Sequence, residues 1–101
     1  MYVIAYDIGT TGLKTCLYSI EDRVSLVAGT YQEYDLYILE GGGAEQDAEQ
    51  WWEAMCSTTR KLIEKTGIAP AEIKGLSFCS QMQGLVLADD KANALRRPMS
   101  Y

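Results

Sequence analysis

The sequence predicts an α/β domain: a mixed sheet opening with an antiparallel meander of three strands, then one main helix, then further strands. Three observations predict it. Residues 2–34 are apolar, β-rich segments broken by short Gly/Thr and Glu/Asp/Arg stretches at 9–12 and 21–23, the pattern of strands joined by tight turns. Apolar residues recur at helical spacing between Asp47 and Gly67, with a start signal before them and a stop signal after. The short apolar segment Ile73–Cys79 then follows the helix at the distance a parallel crossover needs. At 101 residues the chain is long enough for one domain and too short for two.

Tyr2–Asp7 reads as the first strand. Val3, Ala5 and Asp7 share one face, and Tyr2, Ile4 and Tyr6 the other. Both faces are mostly apolar, so the strand is expected to be central and covered on both sides. Gly9–Gly12 makes the turn, and Leu13–Ile20 returns with alternating faces. After the polar turn Glu21-Asp22-Arg23, Val24–Tyr34 is a third strand rich in Thr, Val and Tyr. Asp35–Glu45 is expected to be irregular, with Gly41-Gly42-Gly43 as a flexible loop.

Asp47 is placed to cap the helix, with Gln50 completing a capping box. Trp52, Met55, Thr59, Leu62 and Ile63 form the expected buried stripe. Glu49 and Glu53 come early, Arg60, Lys61 and Lys65 late, in accord with the helix dipole, and Gly67 is the stop. Pro70-Ala71-Glu72 suits one helical turn. Ile73–Cys79 is a strand expected to run parallel to the first. Ser80–Gln83 is a polar break, Gly84–Ala88 a further strand ending at the turn Asp89-Asp90-Lys91, and Arg97–Tyr101 the start of another extended segment.

Composition narrows the function classes. The net charge is −5 and only Arg96-Arg97 pairs positive charges near an end, which argues against nucleic acid as the main partner. Cys16, Cys56 and Cys79 are odd in number and widely spaced, so they read as free thiols of a reducing compartment. The absence of histidine excludes Ser-His-Asp, Cys-His and His-based zinc chemistry within these residues. The N-terminus lacks the basic-then-apolar order of a signal peptide, and no apolar run reaches the length of about 18 residues that a membrane span needs. The expected location is therefore cytoplasmic, with no membrane partner.

Two segments carry chemistry. In Asp7-Ile8-Gly9-Thr10-Thr11-Gly12-Leu13-Lys14 an apolar strand meets an acidic residue, a small-residue turn and a basic residue. Asp7 suits a Mg²⁺ ion or its water shell, small residues let main-chain N–H groups approach an anion, and Thr10, Thr11 and Lys14 add donors. The second, Ser80-Gln81-Met82-Gln83-Gly84, lies at a strand end, where open α/β sheets place ligand crevices. Each has a plainer reading. Asp7 caps a turn, Lys14 is an exposed strand residue, and the glutamines form a polar turn.

The order strand, hairpin, strand, helix, strand resembles the ribonuclease H-like (actin-like ATPase) fold, and residues 7–14 resemble its first phosphate loop. Within that superfamily the chain resembles the N-terminal part of an FGGY carbohydrate kinase. Three further stretches carry this resemblance: Glu45-Gln46-Asp47-Ala48-Glu49-Gln50-Trp51-Trp52, the acidic, Trp-containing helix start; Gly75–Gly84, the strand leading to a Gln-containing substrate turn; and Pro98-Met99-Ser100-Tyr101, the segment before a substrate-binding Asp. Xylulokinase-like members typically carry Gln-Met-His-Gly where this chain has Gln81-Met82-Gln83-Gly84.

The resemblance implies ATP-dependent phosphorylation of a ketose such as xylulose, or a related polyol, with ATP and Mg²⁺ as cofactors. Asp7 would be the Mg²⁺-associated carboxylate, through water. Gly9, Thr10, Thr11 and Lys14 would bind the phosphates, and Gln81, Met82 and Gln83 the sugar, with Met82 as an apolar wall and Gln83 as the directional hydrogen bonder. Trp52 belongs to the expected core; Trp51 either stacks on a sugar or packs along the helix. Asp89 and Asp90 form a solvated turn. The family's catalytic base and adenosine pocket lie far downstream. Residues 1–101 are therefore expected to be the N-terminal part of a longer kinase's first domain, inactive alone and prone to dimerise through surface left open. Another actin-like kinase or ATPase, or a non-catalytic binding module, are the alternatives.

Overall fold

The computed structural model describes residues 1–100. In chain order the elements are β1 (Tyr2–Ile8), β2 (Gly12–Ile20), β3 (Val24–Glu33), β4 (Tyr37–Ile38), β5 (Ala44–Glu45), α1 (Ala48–Thr66), a 3₁₀ turn (Pro70–Glu72), β6 (Ile73–Ser80) and β7 (Met99–Ser100). The main sheet has the order β3-β2-β1-β6. The first three strands form the expected meander, and β6 pairs with β1 in parallel after the helical crossover.

Register decides the core. Ile4 faces Leu17, Tyr6 faces Thr15 and Ile8 faces Leu13, so these residues share one side of the pleat. Helix α1 lies over that side, against β2 and β3. Ile4, Tyr6, Leu13, Leu17, Ala54 and Leu62 form the buried cluster, each large aliphatic member contributing about 1.5–3 kcal/mol through removal from water.

The helix keeps Leu62 of its expected stripe buried and Met55 packed against the core, but departs from that stripe at Trp52. Its fully buried line is Ala54, Thr58 and Leu62, while Trp52 is 61% exposed. Two residues turn a helix by roughly 200°, which carries Trp52 to the far side from Ala54. Bulk pointed to Trp52; the close approach of helix to sheet instead selects the small Ala54 and Thr58. Three hydrogen bonds seal this contact. Thr15 Oγ1 and Thr58 Oγ1 lie 2.7 Å apart, Tyr6 Oη and Thr59 Oγ1 2.7 Å apart, and Thr30 donates to the Thr58 carbonyl at 2.9 Å.

Asp47 caps the helix by accepting from the Glu49 N–H at 2.9 Å. The capping box does not close, because the Gln50 amide pairs instead with Asp35, accepting from its N–H and donating to its carboxylate. Gly67 ends the helix at φ 68°, a left-handed cap that glycine adopts without strain.

Three other expectations are corrected. Strand β1 is covered on one face only: Ile4 and Tyr6 are buried, Val3 and Ala5 half-buried and Asp7 exposed. Leu76 and Phe78 of β6 share the α1 side in register with Ile4 and Tyr6, but α1 does not reach them and they stay exposed. The segment 35–45 is not wholly irregular, since β4 pairs with β5 and β5 with β7 in a second small sheet. Gly84–Ala88 is not a strand. It joins an open hairpin through isolated bridges Leu85–Met99 and Ala88–Ala94, because no neighbouring strand extends alongside to complete a ladder. Asp89 and Asp90 lie exposed at its tip, as expected. Of the terminal extended segment only Met99 and Ser100 form strand; Tyr101 lies outside the described residues.

Candidate functional site

The turn between β1 and β2 is held from behind by its carbonyl groups. The Gly9 N–H donates to the Gly12 carbonyl at 3.0 Å, closing the turn. The Gly9 carbonyl accepts from the Tyr34 hydroxyl and, at 3.3 Å, from Gln81 Nε2. The Thr10 carbonyl accepts from Gln46 Nε2 at 2.5 Å, and the Thr11 carbonyl from the Tyr34 N–H at 3.3 Å. Among the described residues, the N–H groups of Thr10 and Thr11 have no protein acceptor. Oxygens tied back and N–H groups left over is the polarity an anion site requires. Gly12 is required on packing grounds: a Cβ there would meet the Tyr31 ring and lie 2.7 Å from the Gln32 carbonyl oxygen.

Asp7 and Lys14 face each other across β1 and β2, exposed on the side of the sheet away from α1. Cys79 is Asp7's neighbour on β6. A hydrogen bond to the Asp7 carboxylate holds the Cys79 thiol above its ordinary pKa, with slight desolvation and the carboxylate's charge adding to the effect. Tyr34, behind the turn, is pushed up to about 12 by burial, then by Tyr31 and by Asp7. It therefore stays a hydroxyl donor to Gly9 at neutral pH. Among the described residues no three Asp, Glu, Cys or His side chains converge as a metal cage. A single exposed carboxylate fits a hydrated Mg²⁺ bound through water and phosphate oxygens, a mode Mg²⁺ favours because it sheds water reluctantly.

On the α1 side, a cleft of about 320 Å³ opens beside the strand ends. Ile8, Gln46, Trp51, Gln81, Gln83 and Met99 are among its walls. Gln83 sits at φ 63°, a left-handed conformation that costs a non-glycine residue roughly 1–2 kcal/mol and so marks a backbone held in place by its surroundings. Met82 is 76% exposed and does not line this cleft; it is no wall of the pocket in this arrangement. Trp51, left open by its sequence, lies on the cleft and donates Nε1–H to Gln46 Oε1 at 3.2 Å.

Gln46 is the residue sequence reasoning passed over. Only 1% exposed, it donates to the Thr10 carbonyl, accepts from Trp51 and, at 2.7 Å, from Gln81 Nε2, and its N–H donates to the Pro98 carbonyl at 3.0 Å. Ser100 extends the network by donating to Gln81 Oε1 at 3.2 Å. The available signal was an amide immediately before a helix cap, within a segment already singled out. The structure thus gathers Gly9, Thr10, Gln46 and Gln81 into one network beside Gln83. Asp7 and Lys14 stand across the sheet at the same end of β1, with the turn bridging the two sides through the contact between Thr11 Oγ1 and Tyr31 Oη at 3.4 Å.

Comparison with known proteins gives a consistent picture. Residues 2–101 match the model of the N-terminal domain of the FGGY family of carbohydrate kinases. The chain is 34% identical over 100 residues to a xylulose kinase of Bacillus subtilis, covering 99% of this chain and 20% of that protein. It is 34% identical over 89 residues to a glycerol kinase of Sinorhizobium fredii, covering 87% of this chain and 17% of that protein. A crystal structure of a xyloylose kinase from Brucella ovis superposes with a TM-score of 0.89 at 26% identity, covering 98% of this chain and 20% of the other. The chain therefore spans about a fifth of the length of the xylulose kinases it matches.

Proposed function

The chain belongs to the FGGY family of carbohydrate kinases, and from that premise we propose that the intact protein transfers the γ-phosphoryl group of ATP to a hydroxyl of a small sugar, a ketose such as xylulose or a related polyol. Residues 1–101 form the N-terminal part of its first domain, and the adenosine pocket and catalytic base come from residues beyond these. The observation that carries this reading is the shared network of turn and cleft: the carbonyls of Gly9 and Thr10 are bonded to the same amides, Gln81 and Gln46, that floor the cleft.

Phosphoryl transfer asks a protein chiefly to position groups and neutralise charge. The Thr10 and Thr11 N–H groups donate to the terminal phosphates, with Gly9 and Gly12 shaping the turn and Lys14 adding positive charge. Asp7 would hold Mg²⁺, through water, and the ion would supply neutralisation of phosphate charge. The Gln81 amide is committed to Gly9, Gln46 and Ser100, so it serves as a rigid floor. Among the described residues the Gln83 amide has no protein partner, which leaves both its donor and its acceptor for sugar hydroxyls. Gln83 stands where xylulokinase-like members carry an imidazole, so it is the position that sets the choice among ketoses and polyols.

No helix among the described residues is long and apolar enough to cross a membrane. Residence in the cytoplasm fits an ATP-dependent enzyme with three free thiols. The exposed Leu76 and Phe78 beside the unpaired edge of β6 make residues 1–101 by themselves prone to pair.

The test is ADP release by the full-length protein with MgATP and a panel of D-xylulose, D-ribulose and glycerol. Turnover is expected with at least one acceptor, lowered about a hundredfold or more by Asp7→Asn and redirected among acceptors by Gln83→His. Residues 1–101 alone should be inactive. Absence of acceptor-dependent ADP release across the panel would overturn the proposal.

A further inference from the structure

We propose that Gln46 is a positioning residue that couples occupancy of the sugar cleft to the geometry of the phosphate turn. This rests on the kinase reading above and adds to it a buried residue that acts through its neighbours. In a primary amide the oxygen only accepts and the nitrogen only donates. Here the two ends are used in opposite directions. Nε2 donates to the Thr10 carbonyl on the turn, at 2.5 Å. Oε1 accepts from Gln81 Nε2 at 2.7 Å and from Trp51 Nε1 at 3.2 Å, both on the cleft.

The amide is buried at 1% exposure, so water cannot replace a lost partner, and moving one end moves the other. Its backbone is fixed on both sides. The N–H donates to the Pro98 carbonyl at 3.0 Å, and Asp47, the next residue, caps α1. A second route, Gln81 Nε2 to the Gly9 carbonyl, runs at 3.3 Å and is the weaker of the two. A sugar pressing on Trp51 or on the Gln81 floor therefore acts on the Thr10 carbonyl through Gln46. That carbonyl belongs to the same peptide unit as the Thr11 N–H, one of the donors assigned to the phosphates. Sugar binding then aligns a donor before ATP arrives, and by linkage the phosphates aid the sugar to the same degree.

The experiment measures that linkage in the full-length protein. Binding of a non-hydrolysable ATP analogue with Mg²⁺ is titrated by calorimetry with and without saturating D-xylulose, or glycerol where glycerol is the better acceptor in the panel. The ratio of the two affinities is the coupling factor, and a change in the fraction of folded protein does not alter it. The wild type is expected to show a factor well above one. Gln46→Leu, which removes both ends, should bring it down about tenfold or to unity. Gln46→Glu keeps the shape and the acceptor but sets a carboxylate oxygen against the Thr10 carbonyl, and should lose coupling while retaining sugar binding; this variant also serves if the leucine form does not fold. Wild-type-like coupling in the folded variants, or a wild type that binds both ligands with no coupling, would overturn the inference and leave the kinase reading standing. A wild type that binds neither ligand would overturn both.

Discussion

Replacing Thr58 by valine tests how the helix is held on the sheet, and with it how Gln46, just ahead of that helix, is held in place. Thr58 Oγ1 lies 2.7 Å from the Ala54 carbonyl and 2.7 Å from Thr15 Oγ1, and both threonines are fully buried. A carbonyl can only accept, so the Thr58 proton goes to Ala54 and the Thr15 hydroxyl must donate to Thr58 Oγ1. Valine preserves volume and β-branching but strands the Thr15 O–H without a partner, a cost of about 1–3 kcal/mol. Thr15→Val removes the donor and leaves Thr58 bonded to Ala54, so it should cost less, about 1 kcal/mol. The double variant strands nothing and should be more stable than Thr58→Val alone. Urea denaturation with a common m-value measures all four corners of the cycle. In a domain of this size 1 kcal/mol corresponds to a shift of roughly 4–8 °C in Tm. If Thr58→Val were neutral, or the double variant at least as unstable as the sum of the singles, the assigned direction of the bond would be wrong.

Leu62→Ala, at a fully buried core position, should cost about 2–5 kcal/mol in the same denaturation assay, a large share of a small domain's stability. The raised Tyr34 pKa has a definite sign: the folded state holds this proton from the model-peptide value of 10.0 up to about 12. Stability from this group is therefore present below pH 10 and falls as pH rises towards 12. Ultraviolet titration should show phenolate appearing near pH 12, and Tyr34→Phe should remove that portion. Phe78→Lys, on the exposed β6 edge, should shift residues 1–101 towards monomer in sedimentation velocity, by placing charge on an open sheet edge; unchanged behaviour would show that pairing, if present, uses another face.

The sequence alone determined the meander, the helix with its Asp47 and Gly67 ends, and the parallel return of the next strand. These follow from local signals: period-two alternation, cap chemistry and the length a crossover requires. It also marked the Gly9–Gly12 turn and the strand end at Gln81, because small residues at a turn and polar residues at a strand end are visible in order along the chain. Tertiary structure alone decided which helical face is buried. Ala54 and Thr58 displaced Trp52 because the sheet beneath presented Thr15 and Tyr6, partners distant in sequence. It alone turned Trp51 to the cleft and Met82 away from it, and reduced the expected strand after Gly84 to isolated bridges for want of an extended neighbour. Gln46 was hidden for the same reason. An amide takes its meaning from the groups at its two ends, and here those belong to Thr10, Trp51 and Gln81, which only folding brings together.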